Sequence, residues 1–425
     1  MAKPPAPDED VQARGVRALE RHFNTRYQSY NRVVHVFACY AAGFTPEARR
    51  ASAALHFSKV RPFAIVNTLL GNYSNADAYA KAMLDKGVMQ YSAAPFIPNS
   101  EYVKNAPLSW GYNASVEQQA AKYASYICQK AVKRNASFSG NPGENGKPRR
   151  FGLLYSTSQF YPQLQLFANE VRKQVQRCGG KFDAEATYLR TFSAGGQDGD
   201  NPAYAQTNMA DFQRKGITTI IWPGGYETNH TRAAASLNYL PEWIVPSDTY
   251  NEAYGWAQFQ DPVAWAHAWV VADVPRAGSF SQTNQCYTVM RESQPDFPEA
   301  DARYLCILGS PYESMRQLFT GVQLAGPRLT PQQVNEGFRA IPPKPSTDPA
   351  TPSCYYEPND FTCVKDAQAM WWDPAAKAQN SRAGCWKMAE GGRRYTAGQW
   401  PAGDVLAQKD ITKDVCNGYD PGRFG

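Results

Sequence analysis

Residues 151–163 read FGLLYSTSQFYPQ: a short apolar run, then the hydroxyl and amide side chains Ser156, Thr157, Ser158 and Gln159, then two adjacent rings, Phe160 and Tyr161. Hydroxyls and an amide hydrogen-bond a polar ligand without committing to its charge, and the rings add apolar and stacking surface. A phosphate-binding loop would place glycines here, so that backbone N–H groups could approach the anion. Covalent or acid–base chemistry finds little support. The five histidines, His22, His35, His56, His230 and His267, form no HExxH pair, and neither GxSxG nor a glycine-rich phosphate fingerprint follows an apolar run. Asp198 and Asp200 in GGQDGDNP are a possible carboxylate pair, but their neighbours are those of a solvated turn. Gly224 and Gly225 in WPGGYETNH permit either a close ligand approach or an ordinary turn.

The elements that must carry this loop are legible from periodicity. A short apolar run followed by turn formers and then LQLFANEVRKQVQRCGG reads as a buried parallel strand feeding a helix. In open α/β sheets ligands bind beyond the carboxyl ends of the strands, which makes STSQFY a candidate cleft wall. Upstream, residues 11–27 have a helical pattern, residues 33–38 (VVHVFA) read as a strand, and residues 45–60 as a helix opened by Thr-Pro-Glu. The strand FAIVN, a helix closed by Gly87, the strand VMQYSA, the piece LSWGY and a long helix over 115–133 continue the alternation. After the Gly-, Pro- and Asn-rich residues 137–148, which look like an exposed insertion, a second series follows. Its strands are FGLLYS, a piece near ATYLR, ITTIIWP and EWIVPS, with helices over 163–178, 205–215 and 231–238 between them. Two such series predict an α/β protein with two similar lobes and parallel sheets. Residues 286–338 are chiefly helical, and the remainder is rich in Cys, Trp and Gly, with hairpins expected around EPND and EGG.

With 425 residues, 43% hydrophobic and 19% charged, the chain is globular and large enough for a core in each lobe. The net charge of +6 is dispersed, with GKPRR the one dense basic cluster, so no nucleic-acid partner is expected. No apolar stretch reaches the length of a membrane span. The nine cysteines include no CxxC pair and none at zinc-ligand spacing with histidine, so neither a metal nor a cofactor is expected. Their scatter fits structural disulfides in an oxidising compartment. The start, MAKPPAPDEDVQ, lacks the apolar core of an export signal.

The order of elements resembles the type I periplasmic substrate-binding proteins, the branched-chain-amino-acid-binding-like solute receptors of ABC importers. The segments that carry the resemblance are GVRALERHFN, VVHVFACY, FAIVN, DKGVMQYSA, RRFGLLYSTSQFY, FQRKGITTIIWPGGY, NYLPEWIVPSDTY, YESMRQLFTGVQLAG and LTPQQVNEGFRAI. It implies two Rossmann-like lobes joined by a three-strand hinge, a small-molecule ligand in the cleft between them, and an ABC transporter permease as partner. Lobe 1 would take residues 1–113 plus 250–345. Lobe 2 would take 114–249 plus 346–425, with a Cys-rich C-terminal extension. The implied activity is extracytoplasmic capture and delivery of a solute, not catalysis. A ligand-sensing receptor module of the same fold is the alternative, and a two-lobed α/β enzyme a further one.

Carried over by position, the family's pocket falls on Asn72, Tyr73 and Ser74, Ala94 and Phe96 in lobe 1, and on Phe160, Tyr161, Tyr226, Asp248 and Tyr250 in lobe 2. The first loop is a few residues longer here than in amino-acid binders, and Tyr161 stands where relatives have a glycine, which would narrow the cleft. Asp248 either pairs with a cationic ligand group or caps a turn after EWIVPS; both readings stay open.

Helix ends flanking FGLLYS pair Cys128 with Cys178, and consecutive helical segments pair Cys286 with Cys306. The turn EPND joins Cys354 to Cys363, which leaves Cys385 for Cys416, with other pairings of these four open. Cys39 is then a buried free thiol or a cysteine whose partner lies upstream. The resembled family begins each lobe with a strand before the first helix, and Pro4, Pro5 and Pro7 suit no interior strand. The expectation is a shortened N-terminus, the export signal and first strand lying upstream, with residues 33–38 and 63–67 separated by a gap or forced to pair.

Overall fold

The computed structural model describes residues 11–43, 45–67, 73–92, 96–157, 162–189, 202–224, 227–246, 257–273, 285–299, 301, 305–306, 311–346, 352–378 and 381–405. The first lobe runs α1 (Val11–Arg26), α2 (Pro46–Val60), β1 (Ala64–Asn67), α3 (Tyr73–Leu84), β2 (Met89–Ser92), α4 (Asn99–Lys104) and β3 (Ser109–Gly111). Caps set several helix starts. The Thr45 hydroxyl accepts from the Ala48 N–H ahead of Pro46, satisfying one of the N–H groups that a first helical turn leaves free. The three strands form a parallel sheet in the order β1-β2-β3.

The second series opens with α5 (Val116–Lys130), where Ser115 and Gln118 form a reciprocal capping box. It continues through β4 (Phe151–Ser156), α6 (Pro162–Arg177), β5 (Phe182–Tyr188), α7 (Pro202–Arg214), β6 (Thr219–Ile221), α8 (Asn229–Ser236), β7 (Glu242–Pro246), α9 (Pro262–Trp265) and β8 (Ala268–Ala272). The helices α10 (Gln285–Ser293), α11 (Pro311–Leu324) and α12 (Pro331–Arg339) come next, then β9 (Asp366–Lys377), β10 (Ala383–Met388) and β11 (Tyr395–Thr396). The larger sheet has the order β10-β9-β8-β7-β6-β4-β5, with β11 on β9. Its strands are parallel from β5 through β8, while β9 and β10 are antiparallel additions. β8 lies within the stretch 250–345 expected in lobe 1, so this sheet extends to Ala272. The Cys-, Trp- and Gly-rich region forms a long β9–β10 hairpin, which lies between the EPND and EGG segments where hairpins were expected. At its register shift Gly384 has φ +94, and a Cβ there would meet the Trp372 ring at 2.2 Å.

The helices α10, α11 and α12 return to the first lobe. α1 and the helices α10 and α11 share one apolar cluster, in which Phe23 stacks on Phe319 at 4.4 Å. Gly337 of α12 lets that helix approach α11 so closely that a Cβ would sit 2.0 Å from the Gly321 carbonyl oxygen. The lobes are joined by adjacent crossovers: the Gly111 N–H donates to Phe361 C=O, and the Cys363 and Val364 N–H groups donate to the Gly111 and Tyr112 carbonyls.

Three expectations need correction. Residues 33–38 are not a strand. A strand needs a ladder partner; here the Val34 and Val36 N–H groups are met instead by the Asn24 amide oxygen and the Glu20 carboxylate of α1. Residues 137–148 are only half exposed. Phe138 enters the core, and the Ser137 and Phe138 N–H groups donate to the buried Glu242 carboxylate, which pulls the first half of the segment inward. Cys39 is a free thiol but exposed, because the segment that carries it has no sheet to bury it. The disulfides Cys128–Cys178, Cys286–Cys306 and Cys354–Cys363 form as expected. Cys385 is also disulfide-bonded, and its expected partner Cys416 lies outside the described residues.

Candidate functional site

Every expected ligand contact follows the carboxyl end of a parallel strand. Asn72, Tyr73 and Ser74 come after β1, Ala94 and Phe96 after β2, Phe160 and Tyr161 after β4, Tyr226 after β6, and Asp248 and Tyr250 after β7. This is the edge at which open α/β sheets bind ligands. Asn72, Ala94, Phe160, Tyr161, Tyr226, Asp248 and Tyr250 lie outside the described residues, and Tyr73 and Ser74 are described only as the first turn of α3.

Phe96 is described fully. With φ +60 its backbone turns sharply, and its ring, 1% exposed, packs on Phe167 of α6 at 5.1 Å within the cluster formed by Tyr123 and Ile127. A first-lobe loop residue is thus part of the second lobe's core. In this conformation the ring holds the lobes together and shows no surface to a cleft.

The junction carries a polar cluster that no motif announced. Lys122 of α5 and Asp273, just after β8, are buried 3.1 Å apart. Arg394 donates to the Asp366 carboxylate at 2.7 Å, and also to the Asp273 carbonyl oxygen, so one guanidinium ties the end of β8 to the start of β9. Asp366 in turn accepts the Ser353 N–H. On the first-lobe side Arg316 pairs with Glu313, and the Tyr112 hydroxyl lies within the fields of both pairs. Burial pushes the Tyr112 hydroxyl pKa up, and Glu313 adds to the shift. Burial pushes the Lys122 ammonium pKa down, while Asp273 acts in the opposite direction. Lys122, Arg316 and Arg394 set against Asp273, Glu313 and Asp366 are three charges of each sign. The cluster is balanced in charge, and its pairings tie the crossovers together. A sequence signal existed: Lys122 and Lys130 lie among the buried positions of α5, where an unpaired charge would be costly.

A second polar group sits beneath the loop after β6. The Tyr188 hydroxyl donates to the buried Glu227 carboxylate at 2.7 Å and accepts from the Trp222 indole N–H at 3.1 Å. The His230 ring packs against both Tyr188 and Trp222. This anchors the two ends of the segment 223–227, which includes Tyr226. An open depression of about 470 Å³ between α4, the start of α5 and Asp360 supplies no comparable group. Of its polar side chains, Gln118 is engaged with Ser115 and Asp360, and Asp360 with Lys365. Among the described residues no cluster of three potential metal ligands occurs, and no helix is long and apolar enough to cross a membrane.

No family model matches the chain, and no curated protein matches it in sequence. Solved structures do match it in fold. A substrate-binding protein of an ABC transporter from Aeropyrum pernix superposes with a TM-score of 0.62 at 10% identity, over 92% of this chain and 91% of that one. An amino acid ABC transporter substrate-binding protein from Pseudomonas fluorescens Pf-5 gives 0.61 at 9% identity, over 93% of each chain. A solute-binding protein from Rhodopseudomonas palustris, solved with 4-hydroxybenzoate, gives 0.60 at 11%, over 91% and 93%. At these identities the likeness establishes the fold alone, two α/β lobes with parallel sheets.

Proposed function

We propose that this two-lobed fold serves as an extracytoplasmic solute-binding protein, which captures a small molecule between its lobes and hands it to the permease of an ABC importer. The observation that carries the reading is a fold likeness to such proteins that spans about nine-tenths of both chains. The disulfides support an oxidising compartment. The expected contacts, set at the ends of strands in both sheets, support binding by closure: a ligand that touches both lobes only when they are closed shifts the population toward that state. The closed form is what a permease would recognise.

Thermal unfolding with 4-hydroxybenzoate and with leucine as probes tests the reading. A bound probe at about 100 times its Kd adds about 2.7 kcal/mol of stability by mass action and is recovered unchanged. Replacing Phe160 and Tyr161 together by alanine is expected to weaken binding by about 1–3 kcal/mol while leaving the unliganded melting temperature in place. Consumption of a probe would replace this reading with an enzymatic one. Unchanged affinity in the double variant would move the site away from STSQFY.

A further inference from the structure

The open depression of about 470 Å³ beside the crossovers is built from three separate parts of the chain. α4 of the first lobe contributes Asn99 and Val103, the first turn of α5 in the second lobe contributes Glu117 and Gln118, and the turn at the crossover contributes Asn359 and Asp360. None of the expected cleft contacts is among its lining residues. Charge decides what it can take. Among the described residues its lining has two carboxylates and no basic side chain. Asp360 is neutralised by Lys365 and also accepts from Gln118 at 2.9 Å and from the Thr362 hydroxyl at 2.8 Å. Glu117 differs, because the group its Oε2 accepts from, the Asn99 N–H at 2.9 Å, carries no charge. Tyr102 of α4 is the second sign of a missing partner. It is fully buried, and its hydroxyl has no hydrogen-bond partner among the described residues. That hydroxyl abuts Gly111, next to the bridge from Gly111 to Thr362. Burial pushes its pKa up, and the fields of the two lining carboxylates, Asp360 and Glu117, add to the rise. Buried hydroxyls are seldom left unpaired.

We propose that this depression is a binding site for a small primary alkylamine, distinct from the solute cleft. An ammonium group has three donors and no acceptor, and the complement it needs is a set of acceptors. The Glu117 carboxylate supplies the charge, and the Tyr102 hydroxyl and the Asn359 amide oxygen supply neutral acceptors. Val103, 52% exposed, offers apolar surface to the alkyl stem. The volume far exceeds the ~30 Å³ of one water molecule, so a bare ion would leave most of it unfilled. An occupant touches both lobes and the crossover at once, since each gives the depression a part of its lining.

Butylamine, 1-butanol and butyrate have similar size and different charge, and they serve as probes of the full chain at equal concentration and ionic strength. Butylamine is expected to raise Tm by about 1 °C or more and to slow hydrogen exchange of the Asn99 amide about threefold or more. 1-Butanol, butyrate and sodium chloride are expected to do neither. An equal gain with 1-butanol or sodium chloride overturns the assignment to an ammonium group, and no gain with butylamine overturns the site. Glu117→Gln keeps an acceptor for the Asn99 N–H, and it is expected to melt where the parent chain does while losing the gain from butylamine. Asn359→Asp adds a carboxylate at an exposed left-handed position, φ +60, that Asp tolerates, and is expected to tighten butylamine binding about threefold or more. Unchanged butylamine binding in either variant overturns the proposal. No cleft solute is needed for these measurements, so their failure is separate from a failure of the solute-binding reading.

Discussion

In the larger sheet β4 lies between β5 and β6, β7 between β6 and β8, and β9 between β8 and β10, whereas among the described residues of the smaller sheet β2 alone has a strand on each side, and β3 adds a single bridge from Gly111 to Thr362. One face of the larger sheet carries a buried apolar cluster in which Trp222, Trp243, Trp265, Trp372 and Trp386 pack together. The strands of the smaller one lean on helices: Val66 contacts the α1 cluster, and Met89 and Tyr91 contact a cluster that includes Val334 and Phe338 of α12. The contrast teaches that strand propensity is only permission. VVHVFA is rich in β-branched and aromatic residues and still forms no ladder, because among the described residues no strand lies alongside it. EWIVP is no more β-prone, yet it is a central strand flanked by β6 and β8.

If the larger sheet is the better tied, its ties should be costly to cut. Glu242 is fully buried and accepts from the Arg149 guanidinium at 2.7 Å, from the Thr219 hydroxyl and from two backbone N–H groups. Glu242→Ala leaves Arg149 buried without its carboxylate and is expected to cost about 3–5 kcal/mol in urea unfolding. A loss below about 1 kcal/mol would transfer the stability of that lobe to its tryptophan core alone.

The disulfides allow a smaller and more even comparison, since each lobe has one between helical segments. Replacing Cys128 and Cys178 with alanine, or Cys286 and Cys306, is expected to cost about 2–4 kcal/mol in either case. The sequence separations are 50 and 20 residues, so loop entropy makes the second-lobe pair the costlier by under about 1 kcal/mol. A reversed order, read from the two denaturation midpoints, would mean that the first lobe depends more on its crosslink than loop entropy accounts for.

The smallest effect is a pH dependence confined to the first lobe. Burial against the α1 cluster lowers the His22 pKa, and Glu292, 3.8 Å away, opposes the shift. The unfolded chain therefore binds this proton more readily than the folded one. Stability is full above the unfolded value of about 6.5 and declines as pH falls through it toward the lower folded value. Melting temperatures measured between pH 7.5 and 5 are expected to fall less steeply in His22→Gln than in the parent chain; identical slopes would remove His22 from the account.

Reading the sequence located most strands and helices within a few residues, because buried parallel strands and capped helices write strong local signals. FGLLYS is apolar on both faces, Thr45 and Ser115 cap the helices that follow them, and Gly87 closes α3 with φ +76. The crosslinks Cys128–Cys178 and Cys286–Cys306 followed from the same helix positions. The polar junction was not legible: Lys122, Asp273, Asp366 and Arg394 are far apart in the chain and meet only when α5, β8, β9 and the turn before β11 come together. Phe96 was likewise expected at a cleft wall, since nothing local reveals that its ring reaches Phe167 of the other lobe.

The order of elements, their parallel pairing and the side of each sheet on which the loops gather were determined by the sequence alone, because periodicity and the right-handed crossover act over a few tens of residues. Which charges would neutralise one another, which ring would bridge the lobes, and whether VVHVFA would be a strand were decided only by the tertiary structure. Each of these depends on a partner that the chain brings near from far away, and hydrogen bonds and ion pairs form only between groups that arrive within about 3–4 Å of each other.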